Sequence, residues 1–379
     1  MRVLMISYDR NMFTEGSDAH ANVLSYGEFM DELHVIVFSR KAHNLEKKKI
    51  GDNIWLYPTS GSPAWMSIFK AISIGKKIKN IDIITTQDPF EAGLVGYILK
   101  LAHRVPLQLQ LHGDYFSSDY WRRESVLNGG RRVVGEILLR QADCIRVVSG
   151  RIEQSLVELG ISEKRIVRNP IAISPEYFSE KDPKQDLHKE NPAADFIFLS
   201  MARLVPVKNL GLLINAFHTV LKAHPKATLV LVGSGPEEKK LKHIAAEYKI
   251  EKGVVFMPWT EDPYSLYKTA DAYVLSSNYE GWGKVVIEAM ATGLSVIMTD
   301  VGCAREVVED KESGLIVPVG NKEKLAEAMK TMIEQNALRQ KLEQNARERA
   351  RGLPSQAAYL TTYKESLSAC QNKNNEENR

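Results

Sequence analysis

The segment 276–293, SSNYEGWGKVVIEAMATG, contains residue types and spacings that could do chemistry. A short apolar strand ends there, Gly281 and Gly283 follow, and an amphipathic helix begins. The backbone N–H groups at the start of a helix, together with the positive end of its dipole, bind anions, and glycines let a ligand approach the backbone closely. The pattern therefore predicts a diphosphate site around 281–285.

Two glutamates flank this predicted anion site. Glu288 lies beyond Gly283 by about 7.5 Å along a helix, and its side chain leans back toward the amino end, where a carboxylate suits the hydroxyls of a ribose. Glu280 precedes the helix, on the side where a sugar would lie. Each glutamate alone has an ordinary alternative, since acids are favoured near a helix start and Glu288 could be a solvated helix residue.

The elements that must position this segment alternate along the whole chain. Short β-branched apolar runs separated by helical patterns are typical of parallel sheets with crossover helices. The predicted strands form two series, 3–7, 35–38, 81–85, 107–111 and 144–148, then 196–200, 228–232, 254–257, 272–276 and 295–299. We predict an α/β protein with two doubly wound domains and a ligand cleft between them, at the carboxyl ends of the strands.

The length of 379 residues suits two domains, each large enough to bury its own core. A polar stretch without apolar periodicity follows Pro170, and Gly352 and Pro354 interrupt a helical pattern near the end. The predicted organisation is an N-terminal domain over 1–178, a linker over 179–195, a C-terminal domain over 196–354, a final helix over 355–370 and a disordered tail over 371–379.

Composition excludes several classes of protein. The formal net charge is +3 with 26% charged residues, so nucleic acid is not an expected partner. Cys144, Cys303 and Cys370 are odd in number and far apart, which argues against disulfides or a zinc site and favours the reducing cytosol. No signal peptide and no apolar run of about 20 residues is present, so we expect a soluble cytoplasmic protein.

The segment EGWGKVVIEAMATG resembles the E-x7-E motif of retaining family 4 glycosyltransferases, the glycosyl transferases of group 1. Further matches occur in the family's order along nearly the whole chain, in IVRNPIAIS, MARLVPVKN, LVGSGPE and SGLIVP. The resemblance implies a GT-B fold, with the nucleotide sugar bound by the C-terminal domain, the acceptor presented by the N-terminal domain, and a last helix that crosses back to the first domain.

The resemblance also implies roles for individual residues. Arg203 and Lys208 match the basic pair that neutralises the departing diphosphate, His112 matches a histidine that contacts the transferred sugar, and Glu280 would stabilise charge at the anomeric carbon. Gly16 matches a glycine-rich loop over the donor, although the usual glycine pair is reduced to Glu15 and Gly16. The remaining donor-binding positions implied are Gly233, Met257, Gly281, Trp282, Gly283, Lys284, Val285 and Glu288.

We therefore expect a retaining transfer of a hexose-type sugar from a UDP- or GDP-linked donor to a glycan or lipid-linked glycan, as in polysaccharide biosynthesis. No cofactor or metal is expected, because the sequence has no Asp-x-Asp triplet and its histidines form no ligand-spaced cluster. The alternatives are a sugar phosphorylase, a nucleotide-sugar epimerase or a catalytically silent nucleotide-sugar binding protein. A P-loop ATPase is excluded, because Val285 follows Lys284 where Ser or Thr is required.

The acceptor side carries two basic stretches with apolar residues. The stretch 64–79 combines Trp65, Ile68, Phe69 and Ile72 with four lysines, and 122–140 is rich in arginine. Such helices dock on anionic lipid, which predicts peripheral contact with the inner face of the membrane and a lipid-linked acceptor. The alternative is that the apolar faces pack on the sheet and the lysines are solvated.

Overall fold

The computed structural model describes residues 1–63 and 65–377, the side chains of 175 and 373–377 excepted, and forms two compact units. The first comprises residues 1–170 together with the helix from Ala357, and the second is Ile171–Gln356. Each unit has its own predominantly parallel sheet flanked by helices. The predicted class, two doubly wound Rossmann-like α/β domains, is confirmed.

The first sheet has eight strands in the order β3-β4-β2-β1-β5-β6-β7-β8, and its pairs are parallel except β3 with β4. The strands are β1 (Arg2–Ser7), β2 (Glu32–Val37), β3 (Lys48–Ile50), β4 (Ile54–Pro58), β5 (Ile83–Thr86), β6 (Leu107–Leu111), β7 (Cys144–Val147) and β8 (Ile166–Arg168). The helices are α1 (Asp18–Gly27), α2 (Met66–Lys77), α3 (Glu91–His103), α4 (Asp119–Glu124), α5 (Leu127–Gln141) and α6 (Gly150–Glu158), with 3-10 turns at Arg10–Phe13, Lys41–His43 and Glu163–Arg165. The central strands are buried on both faces, which explains the apolar run Val3–Ile6 in β1. Strand β6, LQLQL, is also fully buried and carries Gln108 and Gln110 into the interior.

The second sheet has six parallel strands in the order β11-β10-β9-β12-β13-β14. They are β9 (Phe196–Met201), β10 (Ala227–Val232), β11 (Val254–Met257), β12 (Ala272–Leu275), β13 (Ser295–Thr299) and β14 (Leu315–Val317). The helices are α7 (Leu187–Glu190), α8 (Leu210–Leu221), α9 (Glu238–Glu247), α10 (Pro263–Thr269), α11 (Lys284–Ala291), α12 (Lys322–Glu334) and α13 (Asn336–Arg351), with 3-10 turns at Pro175–Phe178, Pro206–Lys208 and Glu251–Gly253. Phe198 and Phe217 lie at the centre of the apolar core between β9 and α8.

A last helix, α14 (Gln356–Glu377), returns to the first unit as predicted, but it is longer than the expected 355–370. It continues through 371–377, where we predicted a disordered tail, because no glycine or proline interrupts the chain after Pro354; residues 378 and 379 lie outside the described residues. The expectation of unpaired cysteines is also wrong. Cys370 on this helix forms a disulfide with Cys144 of β7, across a sequence separation of 226 that hid the pairing.

The returning helix covers a buried arginine in the first unit. Arg146 of β7 is 1% exposed, donates through Nη1 to Gln110 Oε1 at 2.5 Å and through Nη2 to the Tyr359 hydroxyl at 2.8 Å, and lies against the rings of Tyr359 and Tyr363. Two aromatic faces, one amide oxygen and one hydroxyl therefore stabilise a charge that has been removed from water.

The boundary between the units falls at Pro170, earlier than the linker predicted over 179–195. Backbone groups of that polar stretch are bonded to the second unit, with Tyr264 donating to the carbonyls of Ser179 and Lys181, and the Lys184 N–H donating to Ser265 Oγ at 2.8 Å. The stretch therefore belongs to the second unit, because side chains of α10 satisfy its backbone.

Candidate active site

A glycine turn holds the loop that carries Arg203. Gly233 has a φ of +142°, and a Cβ there would lie 2.0 Å from the Ala202 carbonyl oxygen, so only glycine fits this close approach. The N–H of Ala202 donates to Val232 O at 3.0 Å and that of Leu204 to Ser234 O at 2.9 Å. Arg203 lies between these two anchored residues, and its side chain is exposed at the carboxyl end of β9.

The turn that follows is fixed against the glutamate segment and positions Lys208. Ser276 Oγ donates to Lys208 O at 2.9 Å, and the Asn278 N–H donates to Val207 O at 2.8 Å. Lys208 Nζ forms an ion pair with Glu280 Oε1, and the two side chains are only 16% and 14% exposed. Ser277 Oγ donates to the same glutamate oxygen at 2.7 Å. The structure therefore brings together two of the predicted catalytic residues.

Helix α11 begins at the predicted anion site. Gly283, its N-cap, has a φ of +92°, and no side chain of the described residues caps the helix. Gly302, with a φ of +56°, lies so close that a Cβ on it would be 2.6 Å from Trp282 O. Gly281 to Gly283 are buried, and Lys284 and Val285 are half-buried. No described side chain caps the helix start, so its N–H groups and dipole can stabilise a phosphate there.

Glu288 is buried on α11, only 6% exposed, which excludes the alternative of a solvated helix residue. Tyr267 donates its hydroxyl to Glu288 Oε2 at 3.1 Å, and Lys284 Nζ lies 3.3 Å from Oε1. Burial, followed by the charge of Glu288, raises the pKa of Tyr267 well above its usual value, so the phenol remains a donor. Both carboxylate oxygens are thereby oriented.

Trp282 and Met257, which were predicted as donor-binding positions, have structural partners of their own. The Trp282 side chain is 3% exposed and donates through Nε1 to Ile171 O at 3.2 Å, so its ring packs inside the second unit. Met257, half-buried at the end of β11, accepts the N–H of Gly233 at 3.0 Å and thereby joins the glycine turn to its neighbouring strand. Gly281 is buried and Val285 is half-buried at the helix start.

Gly16 and His112 lie in the first unit. Gly16 has a φ of +84°, and no atom lies within 4 Å of where its Cβ would be, so the loop before α1 is open. His112 ends β6; burial, followed by the charge of Arg146, lowers its pKa to about 3, so the imidazole is neutral. Its Nε2 is shielded from water and has no hydrogen-bond partner among the described residues.

Sequence reasoning missed the groups that orient the two glutamates. Ser277 precedes Glu280 by three residues and could have been noticed as a local partner, whereas Tyr267 lies 21 residues from Glu288 in an ordinary helical pattern. The sequence does not indicate that Lys208 and Glu280 are in contact, because they are 72 residues apart. The described residues also contain no group of three or more His, Cys, Asp or Glu arranged to hold a metal ion.

The fold defines the class of protein. Sucrose-phosphate synthase from Thermosynechococcus elongatus superposes with a TM-score of 0.81 and 21% identity, over 97% of this chain and 100% of that one. HepE from Anabaena, solved with UDP-glucose, gives 0.75 and 20% over the same shares. These are GT-B proteins, and the architecture of the present chain is GT-B.

Family models then identify the chain. The model of glycosyl transferases group 1 matches residues 181–349, and that of glycosyltransferase family 4 matches residues 30–177. The chain belongs to the family 4 glycosyltransferases, whose two domains these models describe. A Campylobacter jejuni relative, N-acetylgalactosamine-N,N'-diacetylbacillosaminyl-diphospho-undecaprenol 4-alpha-N-acetylgalactosaminyltransferase, is 31% identical over 57% of this chain and 57% of its own length. The chain spans about half the length of such curated relatives.

Proposed function

We propose that the chain is a retaining glycosyltransferase that moves a hexose-type sugar from a UDP- or GDP-linked donor to a glycan or lipid-linked glycan, without a metal ion. The observation that carries the proposal is the Lys208–Glu280 pair beside the uncapped start of α11, with Glu288 held by Tyr267 in the same helix. A cation, an anion-binding helix start and two oriented carboxylates lie within one unit of a glycosyltransferase family member.

In the proposed complex the diphosphate lies at the amino end of α11, and Arg203 and Lys208 neutralise its charge. Glu288 binds the ribose hydroxyls and Glu280 binds the sugar. Without donor, Lys208 and Glu280 neutralise each other; when donor binds, Lys208 is shared between the carboxylate and the leaving phosphate. The cation is therefore in place before the negative charge develops, which is the arrangement that lowers an electrostatic barrier.

The bond between the anomeric carbon and the diphosphate oxygen breaks as the acceptor hydroxyl attacks from the same face of the sugar. The acceptor proton passes to the departing diphosphate, and the configuration is retained. The neutral His112 donates or accepts one hydrogen bond to a sugar hydroxyl through Nε2, the atom that lacks a partner. Glu280 stabilises the positive charge at the anomeric carbon.

The proposed acceptor is a lipid-linked glycan presented at the inner face of the membrane during polysaccharide assembly. The Campylobacter relative is named for a diphospho-undecaprenol acceptor, which supports this class. Among the described residues, no helix is long and apolar enough to cross a bilayer. Contact with a membrane would therefore be made through surface groups, and Trp65 and Phe69 are 61% and 64% exposed.

The first test is thermal unfolding of the wild-type protein and of Glu288→Gln with uridine, guanosine and adenosine diphosphates and their hexose conjugates. A ligand present at 100 times its dissociation constant stabilises the folded state by about 2.7 kcal/mol. We expect stabilisation by one base, reduced in Glu288→Gln and preserved in the exposed control Glu261→Gln. If no nucleotide stabilises the wild-type protein at millimolar concentration, the assignment of the donor site is wrong.

The reaction itself is tested with the donor so identified. Magnetic resonance of the product should show the anomeric configuration of the donor, and turnover should persist in a metal chelator. Inversion would exclude the retaining mechanism, and loss of turnover that is restored by a divalent cation would exclude metal independence. Release of sugar 1-phosphate in the presence of inorganic phosphate would instead favour the phosphorylase alternative.

A further inference from the structure

A second candidate site lies entirely in the first unit. A cavity with a volume of about 480 Å³ opens at the carboxyl ends of β1 and β2, the edge of a parallel sheet where ligands bind. Tyr8 and Arg10 follow β1 in its wall, and Arg40 and His43 follow β2. Helices α2, α3 and α5 complete the wall, and we call this cavity the basic pocket.

The basic pocket has an excess of positive charge. Its lining includes three guanidinium groups, those of Arg10, Arg40 and Arg131, against one carboxylate, that of Glu91. Glu91 is engaged by Arg131, whose Nε and Nη2 lie 2.9 and 2.7 Å from its Oε1. Arg10 and Arg40 have exposed side chains, and within the described part of the chain neither forms an ion pair. Two cations are therefore left to attract an anion.

The hydrogen bonds of His43 point to the same conclusion. Its Nδ1 accepts the backbone N–H of Arg40 at 2.8 Å, so a neutral ring carries its proton on Nε2. That Nε2 lies 3.1 Å from Nη1 of Arg10, which can only donate. Two donors thus face each other without an acceptor between them. The oxygens of an anion would supply the acceptor that both groups lack.

The rim of the basic pocket is apolar and exposed. Helix α2 packs on α3 through small residues, since a Cβ added at Gly75 would lie 2.4 Å from Leu99 Cδ1. Its aromatic residues consequently lie on the opposite face, where Trp65 and Phe69 contact each other edge to face at 5.9 Å. Within 64–79, these two side chains are therefore exposed, and Ala64 lies outside the described residues.

Helix α5 extends this apolar rim. Val133, Val134 and Ile137 are 60%, 40% and 56% exposed and recur on one face of the helix, and Val126 just before it is fully exposed. The opposite face is buried, with Gly135 packed against the ring of Phe90. Leu127 of α5 and Trp65 beside α2 both line the basic pocket, so the two apolar surfaces meet at its mouth.

We propose that the basic pocket binds the diphosphate that links a glycan acceptor to a long-chain lipid, while the apolar rim contacts the lipid chain at the membrane. Arg10, Arg40 and His43 donate to the diphosphate oxygens, and Trp65, Val133 and Ile137 contact the chain. An anionic group next to a long apolar chain matches a cationic pocket next to exposed aliphatic and aromatic side chains. This inference rests on the proposed glycosyl transfer, because it assigns the acceptor of that reaction.

The test is binding to phosphatidylcholine vesicles that carry a minor fraction of undecaprenyl diphosphate, measured by co-sedimentation. Vesicles of phosphatidylcholine alone and vesicles with phosphatidylglycerol at equal charge serve as comparisons. Arg10→Gln with Arg40→Gln should weaken binding about tenfold, since each lost charge-assisted hydrogen bond is costly. Val133→Ser with Ile137→Ser should weaken it as well. The matched control is Lys252→Gln with Arg351→Gln, two exposed cations of the second unit.

Displacement of the protein from these vesicles by inorganic pyrophosphate would show that the pocket recognises the diphosphate. Equal binding to phosphatidylglycerol vesicles would overturn the inference in favour of a general attraction to anionic lipid. Unchanged binding by the arginine variant would show that the basic pocket does not bind the lipid diphosphate. Thermal stabilisation by the nucleotide donor is measured on the same variants. If donor binding persists while diphosphate-lipid binding is absent, only this inference fails; if the wild-type protein binds no donor, the proposed function fails first.

Discussion

The two units differ in how their polar and charged groups are paired. In the second unit the charged groups of the glutamate segment already have partners, with Lys208 on Glu280 and both Lys284 and Tyr267 on Glu288. In the first unit several buried polar atoms have no partner among the described residues, including Asp88 Oδ2, His112 Nε2 and Arg146 Nε. The charges of the glutamate segment are oriented by their own partners, whereas buried groups of the first unit retain unsatisfied hydrogen-bonding capacity. Elsewhere in the second unit, Arg347 Nε also lacks a partner among the described residues.

The two regions also differ in how visible their functional residues are in the sequence. The glutamates and glycines of the second unit lie in one contiguous motif that is visible in the sequence, although the partners of the glutamates are not. An unsatisfied site consists of ordinary residues whose importance appears only when burial and partners are known. The glutamate segment was accessible to sequence reasoning for the first reason, and the basic pocket was not.

The largest expected effect comes from breaking the pair in the second unit. Glu280→Gln keeps the shape of the side chain but removes the charge that holds Lys208 and would stabilise the anomeric carbon. We expect turnover to fall by about 10²–10³-fold, as for loss of one preorganised electrostatic group. Nucleotide affinity should change little. Steady-state kinetics measures the turnover, with Glu261→Gln as the control. Undiminished turnover in Glu280→Gln would show that Glu280 has no catalytic role.

The next effect concerns the covalent tie of the first unit. Replacing Cys370 by Ser opens a link across a sequence separation of 226, which should lower the free energy of unfolding by about 3 kcal/mol. Denaturant unfolding with and without reductant measures it: reductant should destabilise the wild-type protein and leave Cys370→Ser unchanged. Cys303→Ala, which keeps the pair, is the control. Identical unfolding of the oxidised and reduced wild-type protein would mean that the disulfide contributes nothing to stability.

Asp88 offers a test of the unsatisfied groups through pH. Burial raises its pKa to about 7, while the Phe90 N–H, donating to Oδ1 at 2.7 Å, opposes the shift. A carboxyl with a raised pKa in the folded state contributes stability that is present below the unfolded pKa and is lost as pH rises through about 7. At pH 8 Asp88→Asn should therefore be more stable than the wild-type protein, on the order of 2 kcal/mol.

The measurement is the free energy of unfolding between pH 4 and pH 8, with the exposed Asp52→Asn as control. The advantage of Asp88→Asn should shrink toward acid pH, where the wild-type carboxyl is protonated in both states. An unchanged difference across this range would mean that Asp88 is ionised throughout.

The smallest effect tests the orientation of Glu288. Tyr267→Phe removes the hydroxyl that donates to Oε2, and Lys284 still engages the other oxygen. We expect nucleotide affinity to fall by about threefold to tenfold and stability by about 1 kcal/mol, the net value of one buried hydrogen bond. Titration calorimetry measures the affinity. Tyr273→Phe, which loses a hydrogen bond to Met201 O instead, should lose stability but not affinity.

Much of the fold could be predicted because apolar periodicity is local. The predicted bounds of β6, β11 and β13 coincide with those in the structure. Strands β8 and β14 were not predicted, since three residues are too few to show a period, and the short β3–β4 hairpin was missed as well. Helix α14 was predicted in place but not in length.

The site was predictable only where a motif carried it. Glu280, Glu288 and the glycines could be named from one segment, and the resemblance supplied Arg203, Lys208 and His112. The partners of these residues, such as Tyr267, depend on tertiary packing and carry no sequence signal. The same holds for the disulfide, because cysteine spacing does not indicate which strand a distant helix will contact.

The return of α14 to the first unit has a consequence for how the protein is made. Chains usually fold domain by domain from the amino terminus as they leave the ribosome. Here the second unit, a continuous stretch, can finish before the first, whose polar groups around Arg146 stay uncovered until Tyr359 and Tyr363 have been synthesised. The first unit to emerge is the last to be completed, and during translation its nascent β7 surface is a natural target for chaperones.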